Sequence, residues 1–213
     1  MDRRVLLAGA TGLVGRECLS RLAVDASVSS VTALVRRPPD ADTVLHRKLH
    51  FEQVDFEQLG LYARKLAADQ VICALGTTLK LAGSREAFRH VDFDYPLALA
   101  RLARQQGARH FLLVSALGAD SGSRVFYSRV KGELEEALRA LDYPSLTIIR
   151  PSLLLGDRDG FRFGEELAKR FAWAAPRRYA PVRASDVAAV LVEAAREDRP
   201  GQRVIESADI PRR

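Results

Sequence analysis

Short apolar runs alternate along the chain with longer segments whose apolar positions recur at helical spacing. The runs at residues 4–8, 30–35, 48–54, 70–74, 110–115, 146–150 and 203–206 are β-branched or Leu-rich and read as strands. Residues 13–24, 84–106, 124–141, 164–172 and 185–197 read as helices, the last with a Ser-Asp pair expected to cap it. Strand and helix in alternation predict repeated strand–crossover–strand units, hence an α/β fold with a doubly wound parallel sheet and helices on both faces. The proline-rich breaks "RRPPDAD" and "APRRYAP" are expected as loops inside one domain, residues 1–213. Residues 151–213 follow the sixth strand and are expected to supply a small C-terminal cover on the substrate side.

Composition adds exclusions to this picture. Of the 213 residues, 47% are hydrophobic and 28% charged, the balance of a globular chain and not of a disordered or membrane-spanning one. Net charge is +6, from 33 Lys plus Arg against 27 Asp plus Glu. The basic residues are interspersed with acids outside a few Arg pairs, which argues against a nucleic-acid stripe and for local anion binding. Two cysteines far apart, Cys18 and Cys73, give no disulfide framework, and four histidines show no metal-ligand spacing. No metal site is expected, and a reducing cytoplasm fits. The start "MDRRVLLAGATGLVG" has two Arg before an apolar run, as a secretory signal does, but three glycines interrupt it; strand, turn and helix explain it better.

That opening also carries the first chemistry. Gly9, Gly12 and Gly15 stand between the first strand and the first helix, where a Cβ would keep a pyrophosphate from the backbone and the helix from the sheet. The helix start supplies free N–H groups, and Thr11 a further donor. Three glycines also suit a tight turn without ligand; their position makes a Rossmann-type dinucleotide site the stronger expectation. About 20 residues on, such a site reads the adenosine ribose with an acid for a free 2′-hydroxyl or an Arg for a 2′-phosphate. Here Arg36 and Arg37 end the second strand and no acid stands there, so NADP(H) is expected over NAD(H). Asp55 after the third strand and Gly76 after the fourth lie at carboxyl strand ends, where ligands bind in open α/β sheets.

In "VFYSRVKGELEE", Tyr127 precedes Lys131 by four residues, so on a helix both side chains share a face. An ammonium beside a phenol favours phenolate, and such a Tyr can trade a proton near neutral pH. The same pair equally suits a Tyr packed on its own helix and a Lys in water. Ser115, twelve residues upstream at a strand end, could bond the substrate oxygen that Tyr127 serves. Gly132, a poor helix former, points to a close neighbour at this helix.

The strings "GATGLVG", "SALGA", "YSRVK" and "RPSLLLGDR" resemble the atypical or extended short-chain dehydrogenase/reductase superfamily, in the small branch typified by the Tat-interacting oxidoreductase. The resemblance implies NADP(H) binding, with Tyr127 as general acid/base, Lys131 as ribose ligand and modulator of the phenol, and Ser115 as ligand of the substrate oxygen. It further implies cofactor contacts near Leu13, Val14, Leu75 and Pro151, beside Gly9, Thr11, Gly12, Arg36, Asp55 and Gly76. Asp92 departs from the Asn that many relatives carry before the helix leading to the fifth strand. The tail is shorter than the substrate domain of sugar-nucleotide enzymes, although Phe161, Phe163, Phe171, Trp173 and Tyr179 are available as pocket walls. The expectation is an oxidoreductase moving hydride to or from a carbonyl or alcohol carbon of a small molecule. An NADPH-sensing regulator without turnover and an epimerase-like enzyme are the alternatives. Neither nucleic acid nor membrane is expected as a partner, and a homodimer is possible through the segment 84–106.

Overall fold

Seven strands form one parallel sheet in the order β3-β2-β1-β4-β5-β6-β9. The computed structural model describes residues 2–38, 46–155 and 176–212. The strands are β1 Arg3–Ala8, β2 Val28–Val35, β3 Leu49–Gln53, β4 Gln70–Cys73, β5 His110–Val114, β6 Ser145–Arg150 and β9 Gly201–Glu206. All seven correspond to runs expected from the sequence. A two-residue pair, β7 Leu154–Leu155 with β8 Val182–Arg183, was not expected; runs so short carry no period to read.

Side chains along a strand alternate between faces, so each central strand feeds two cores. Val5 and Leu7 of β1 join Ile72, Leu112 and Ile149 under α1 (Leu13–Val24) and α6 (Ala184–Glu197). Leu6 and Ala8 join Val71, Phe111, Leu113 and Ile148 on the opposite face, under α4 (Tyr95–Gln105) and α5 (Phe126–Arg139). Each fully buried Leu or Ile contributes roughly 1.5–3 kcal/mol, so both faces drive the sheet's closure. The border strands β3 and β9 are partly exposed and polar, which discourages further strand pairing.

The expected helix 84–106 is three pieces: α3 (Arg85–Arg89), a π-helical turn His90–Asp94, and α4, with the short α2 (Leu79–Ala82) before them. Pro96 explains the interruption. It lacks the N–H that would bond the Asp92 carbonyl and its ring crowds that carbonyl, so the chain widens by one residue and Tyr95 N–H bonds back to His90. The apolar face of α4, including Leu99, Ala100 and Ala103, is buried against the sheet. The expected Ser-Asp cap of the last helix is corrected. Arg183 is the N-cap, without a side-chain bond, because the helix already begins at Ala184. The helix expected over 164–172 lies outside the described residues.

The sheet order reverses between β1 and β4. Loops leaving these neighbours diverge to opposite faces, and a crevice opens at the carboxyl ends of the strands.

Candidate active site

Gly9 ends β1 with φ +82°, and a Cβ there would lie 2.4 Å from the Ala74 carbonyl oxygen. A Cβ on Gly15 would lie 2.0 Å from the Gly9 carbonyl oxygen. These two glycines therefore let strand end, neighbouring loop and helix start close on one another. The Gly12 amide donates to the Gly9 carbonyl at 3.0 Å. Gly12 is also the N-cap of α1 and brings no side chain, so the first-turn amides of α1 are left for an external acceptor.

Gly12, Leu13 and Val14 border a cavity of about 540 Å³ over the ends of β1, β4, β5 and β6. Leu75 and Gly76 after β4, Ser115 after β5, Tyr127 and Lys131 of α5, and Pro151 after β6 border it too. Apolar walls come from Val114, Leu117, Leu153 and Leu154, with Tyr179 on the far side. The β7–β8 pair, with the Ser152 hydroxyl donating to the Ala180 carbonyl at 2.6 Å, brings the Tyr179 segment back over the opening. Of the aromatics considered as pocket walls, Phe161, Phe163, Phe171 and Trp173 lie outside the described residues.

Tyr127 and Lys131 stand one turn apart on α5, as their spacing requires. The Tyr127 ring packs on Phe88 at 5.5 Å between centroids. Lys131 Nζ is 2.7 Å from Asp92 Oδ1, with the side chains 5% and 1% exposed. Burial works to lower the Lys131 pKa, but attraction to Asp92, with Tyr127 adding to it, holds it above the ordinary lysine value. Asp92 Oδ2 accepts the Thr77 amide at 2.8 Å. Ser115 sits in the cavity wall, yet its hydroxyl donates to buried Glu135 Oε1 at 2.6 Å. That carboxylate takes two bonds from Arg150, at 3.0 and 2.6 Å, and one from Arg139 at 3.1 Å. With its hydroxyl proton engaged by this carboxylate, Ser115 turns that proton away from the cavity and its lone pairs toward it.

A Cβ on Gly132 would fall 2.2 Å from the Asp120 carbonyl carbon and the Ser121 nitrogen. The backbone after β5 thus lies directly on α5, and Asp120 N–H bonds Ser128 at 3.0 Å.

Arg36, Arg37 and Asp55 border the same carboxyl edge beyond the cavity. Both arginines are exposed and neither pairs with a described carboxylate. Asp55 also caps the 3-10 segment Phe56–Leu66, accepting Glu57 N–H at 3.0 Å. Thr11 is exposed in the glycine turn. Glu135 was missed from the sequence because it reads as one more charge on a solvated helix face. Its place two turns beyond Tyr127 on the Lys131 side was the available signal. Thr77, Thr78, Ala116 and Ser152 also border the cavity; they lie in strings that the sequence marks without singling them out as site residues.

A family model described as NAD(P)H-binding matches residues 9–198. Protein HTATIP2 of Rattus norvegicus is 37% identical over 191 residues, covering 89% of this chain and 78% of that protein. The mitochondrial protein FMP52 of Candida albicans is 30% identical over 204 residues, covering 92% and 89%. The fold matches a UDP-glucose 4-epimerase of Thermotoga maritima with TM-score 0.73 and 15% identity, over 96% of this chain and 77% of that one. It also matches the enzyme WbmG of Bordetella bronchiseptica in complex with NAD, with TM-score 0.71 and 15% identity, over 98% and 74%. The fungal relatives' mitochondrial designation overturns the cytoplasmic expectation. Cys18 and Cys73, free and buried with pKa pushed up to about 12 and about 11 by desolvation, are compatible with any reducing compartment and do not single one out. With a seven-stranded sheet in Rossmann order and a family match running nearly end to end, the chain belongs to the NAD(P)H-binding family, alongside its relative protein HTATIP2.

Proposed function

We propose that the chain is an NADP(H)-dependent oxidoreductase acting on a carbonyl or alcohol carbon, with Tyr127 exchanging the proton at the substrate oxygen. The observation that carries this reading is the meeting of Ser115, Tyr127 and Lys131 with the uncapped start of α1 in one cavity. The residues present fit a dinucleotide. The α1 amides suit the pyrophosphate, Arg36 with Arg37 the 2′-phosphate, and Lys131 the ribose beside the nicotinamide. Bound NADPH would supply the hydride.

The chain's own groups do the rest. Lys131 stabilises negative charge on Tyr127 as the proton leaves. Ser115, its proton held by Glu135, accepts from the hydroxyl form of the substrate and orients it. The apolar walls exclude water and favour a neutral substrate without phosphates, since the charged described residues at the cavity, Asp92 and Lys131, compensate each other. The chain matches 77% of the length of the UDP-glucose 4-epimerase, which leaves sugar-nucleotide chemistry a weaker fit.

Equilibrium titration of NADPH and NADH, followed by cofactor fluorescence, tests the cofactor reading. Wild type is expected to favour NADPH at least about tenfold, and Arg36→Ala to lose that margin, a difference of about 1.4 kcal/mol. Equal affinities in the wild type would contradict it. A second reading, a sensor that holds NADPH without turnover, draws on the same internal pairing of Ser115 and Lys131 with carboxylates. Its mark is tight NADPH binding with no consumption against any aldehyde or ketone offered.

A further inference from the structure

We infer that Asp92 is a positioning residue that keeps the Lys131 side chain charged at the cavity wall and ties it to the loop after β4. Asp92 lies in the middle of the π-helical turn His90–Asp94 and is 1% exposed. Its two oxygens face different elements. Oδ1 is 2.7 Å from Lys131 Nζ on α5, and Oδ2 accepts the Thr77 amide at 2.8 Å in the loop that also carries Gly76. One carboxylate thus joins three segments at the cavity wall.

Burial without compensation drives a lysine toward its neutral form. The titratable groups facing Lys131 are Asp92 from the π turn, Tyr127 from its own helix and Cys73 from β4. Cys73, with its pKa pushed up to about 11 by burial, is neutral near pH 7, and Asp92 is the carboxylate at ion-pair distance from the ammonium among the described residues. Among the described groups facing the ammonium, the compensating charge at neutral pH is therefore that of Asp92. The ammonium has three N–H donors, so the Asp92 contact leaves two for a ligand. The arrangement also depends on the wider π turn, because Pro96 prevents plain α-helical continuation across this position.

The consequence for catalysis rests on the proposed Tyr127–Lys131 chemistry, whereas the charge state does not, and the test separates them. Full-length protein with lysine labelled at Cε with carbon-13 is titrated by NMR, with Lys80, which is exposed, as the internal reference and Lys131→Arg for assignment. In the wild type Lys131 should titrate above Lys80. In Asp92→Asn its midpoint should fall below that of Lys80, and in Asp92→Glu it should recover. An unchanged Lys131 midpoint in Asp92→Asn, or a wild-type midpoint below Lys80, overturns the inference. The wild-type ordering decides alone if Asp92→Asn does not fold. A parallel NADPH titration should show about tenfold weaker binding in Asp92→Asn. Failure of the wild type itself to bind NADPH would count against the proposed function and leave the lysine ordering to be read on its own.

Discussion

Lys131 and Glu135 sit on one face of α5, one turn apart, with 5% and 0% of their side chains exposed. A charge removed from water persists only beside a compensating partner, and here each has one. The sequence marks Tyr127, Lys131 and Ser115 through spacing, but not Glu135, because its partners Arg150 on β6 and Ser115 just after β5 come from other elements. His110 illustrates the opposite case, a polar residue held neutral. It is 1% exposed at the amino end of β5, with Asp198 Oδ1 2.9 Å from Nδ1 and the Thr147 hydroxyl 3.0 Å from Nε2. Burial pushes its pKa down to about 4, against the attraction of Asp198 and with Arg203 and Arg3 lowering it further. The unfolded chain therefore binds a proton first as pH falls. Stability from this residue is complete above the ordinary histidine value of about 6.5 and is lost progressively below it, by about 2 kcal/mol at pH 5. Urea unfolding at pH 7.5 and pH 5 should show that loss in the wild type and a smaller one in His110→Gln. Equal pH dependence in both would contradict the assignment.

At the scale of elements, the main sheet was readable because buried parallel strands are short apolar runs between segments of helical period. α1, α5 and α6 were readable for the same reason from the other side. What escaped is non-repetitive. The 3-10 segment Phe56–Leu66 and the β7–β8 pair are set by tertiary contacts, and the π turn kept the apolar spacing of a helix. Pro96 was the one signal for that turn, since proline inside a helix demands local rearrangement. Gly132 was read from sequence as a point of close approach, and the backbone at Asp120 and Ser121 supplies it. Gly132→Ala separates two opposing effects. Helix propensity alone would stabilise α5 by about 1 kcal/mol. The clash with a backbone that has nowhere to move should outweigh it, destabilising by about 1–3 kcal/mol and shifting Tyr127 and Lys131. Thermal unfolding should thus show a lower Tm; a raised Tm would mean that the loop after β5 yields freely.

For the whole molecule, the order of the strands decides where chemistry can occur. The reversal between β1 and β4 opens one crevice, and the glycine turn, the loop after β4, Ser115 and α5 all reach it because each follows the carboxyl end of its strand. Sequence located most of these contributors one by one, but which of them line the cavity and which border it is a property of the assembled sheet. Arg36, Arg37 and Asp55 lie along the edge where the far end of a dinucleotide would extend, so the placement suits one extended ligand running from β2 to α5. On the proposed reading this ligand is NADPH and Tyr127 completes its chemistry, which a comparison of wild type with Tyr127→Phe tests. Wild type and Tyr127→Phe are saturated with NADPH and followed for its oxidation against a panel of apolar aldehydes and ketones. NADPH affinity should be unchanged and turnover lower by about 100-fold or more in Tyr127→Phe, the usual worth of a general acid. Turnover at the wild-type rate in Tyr127→Phe would contradict that reading.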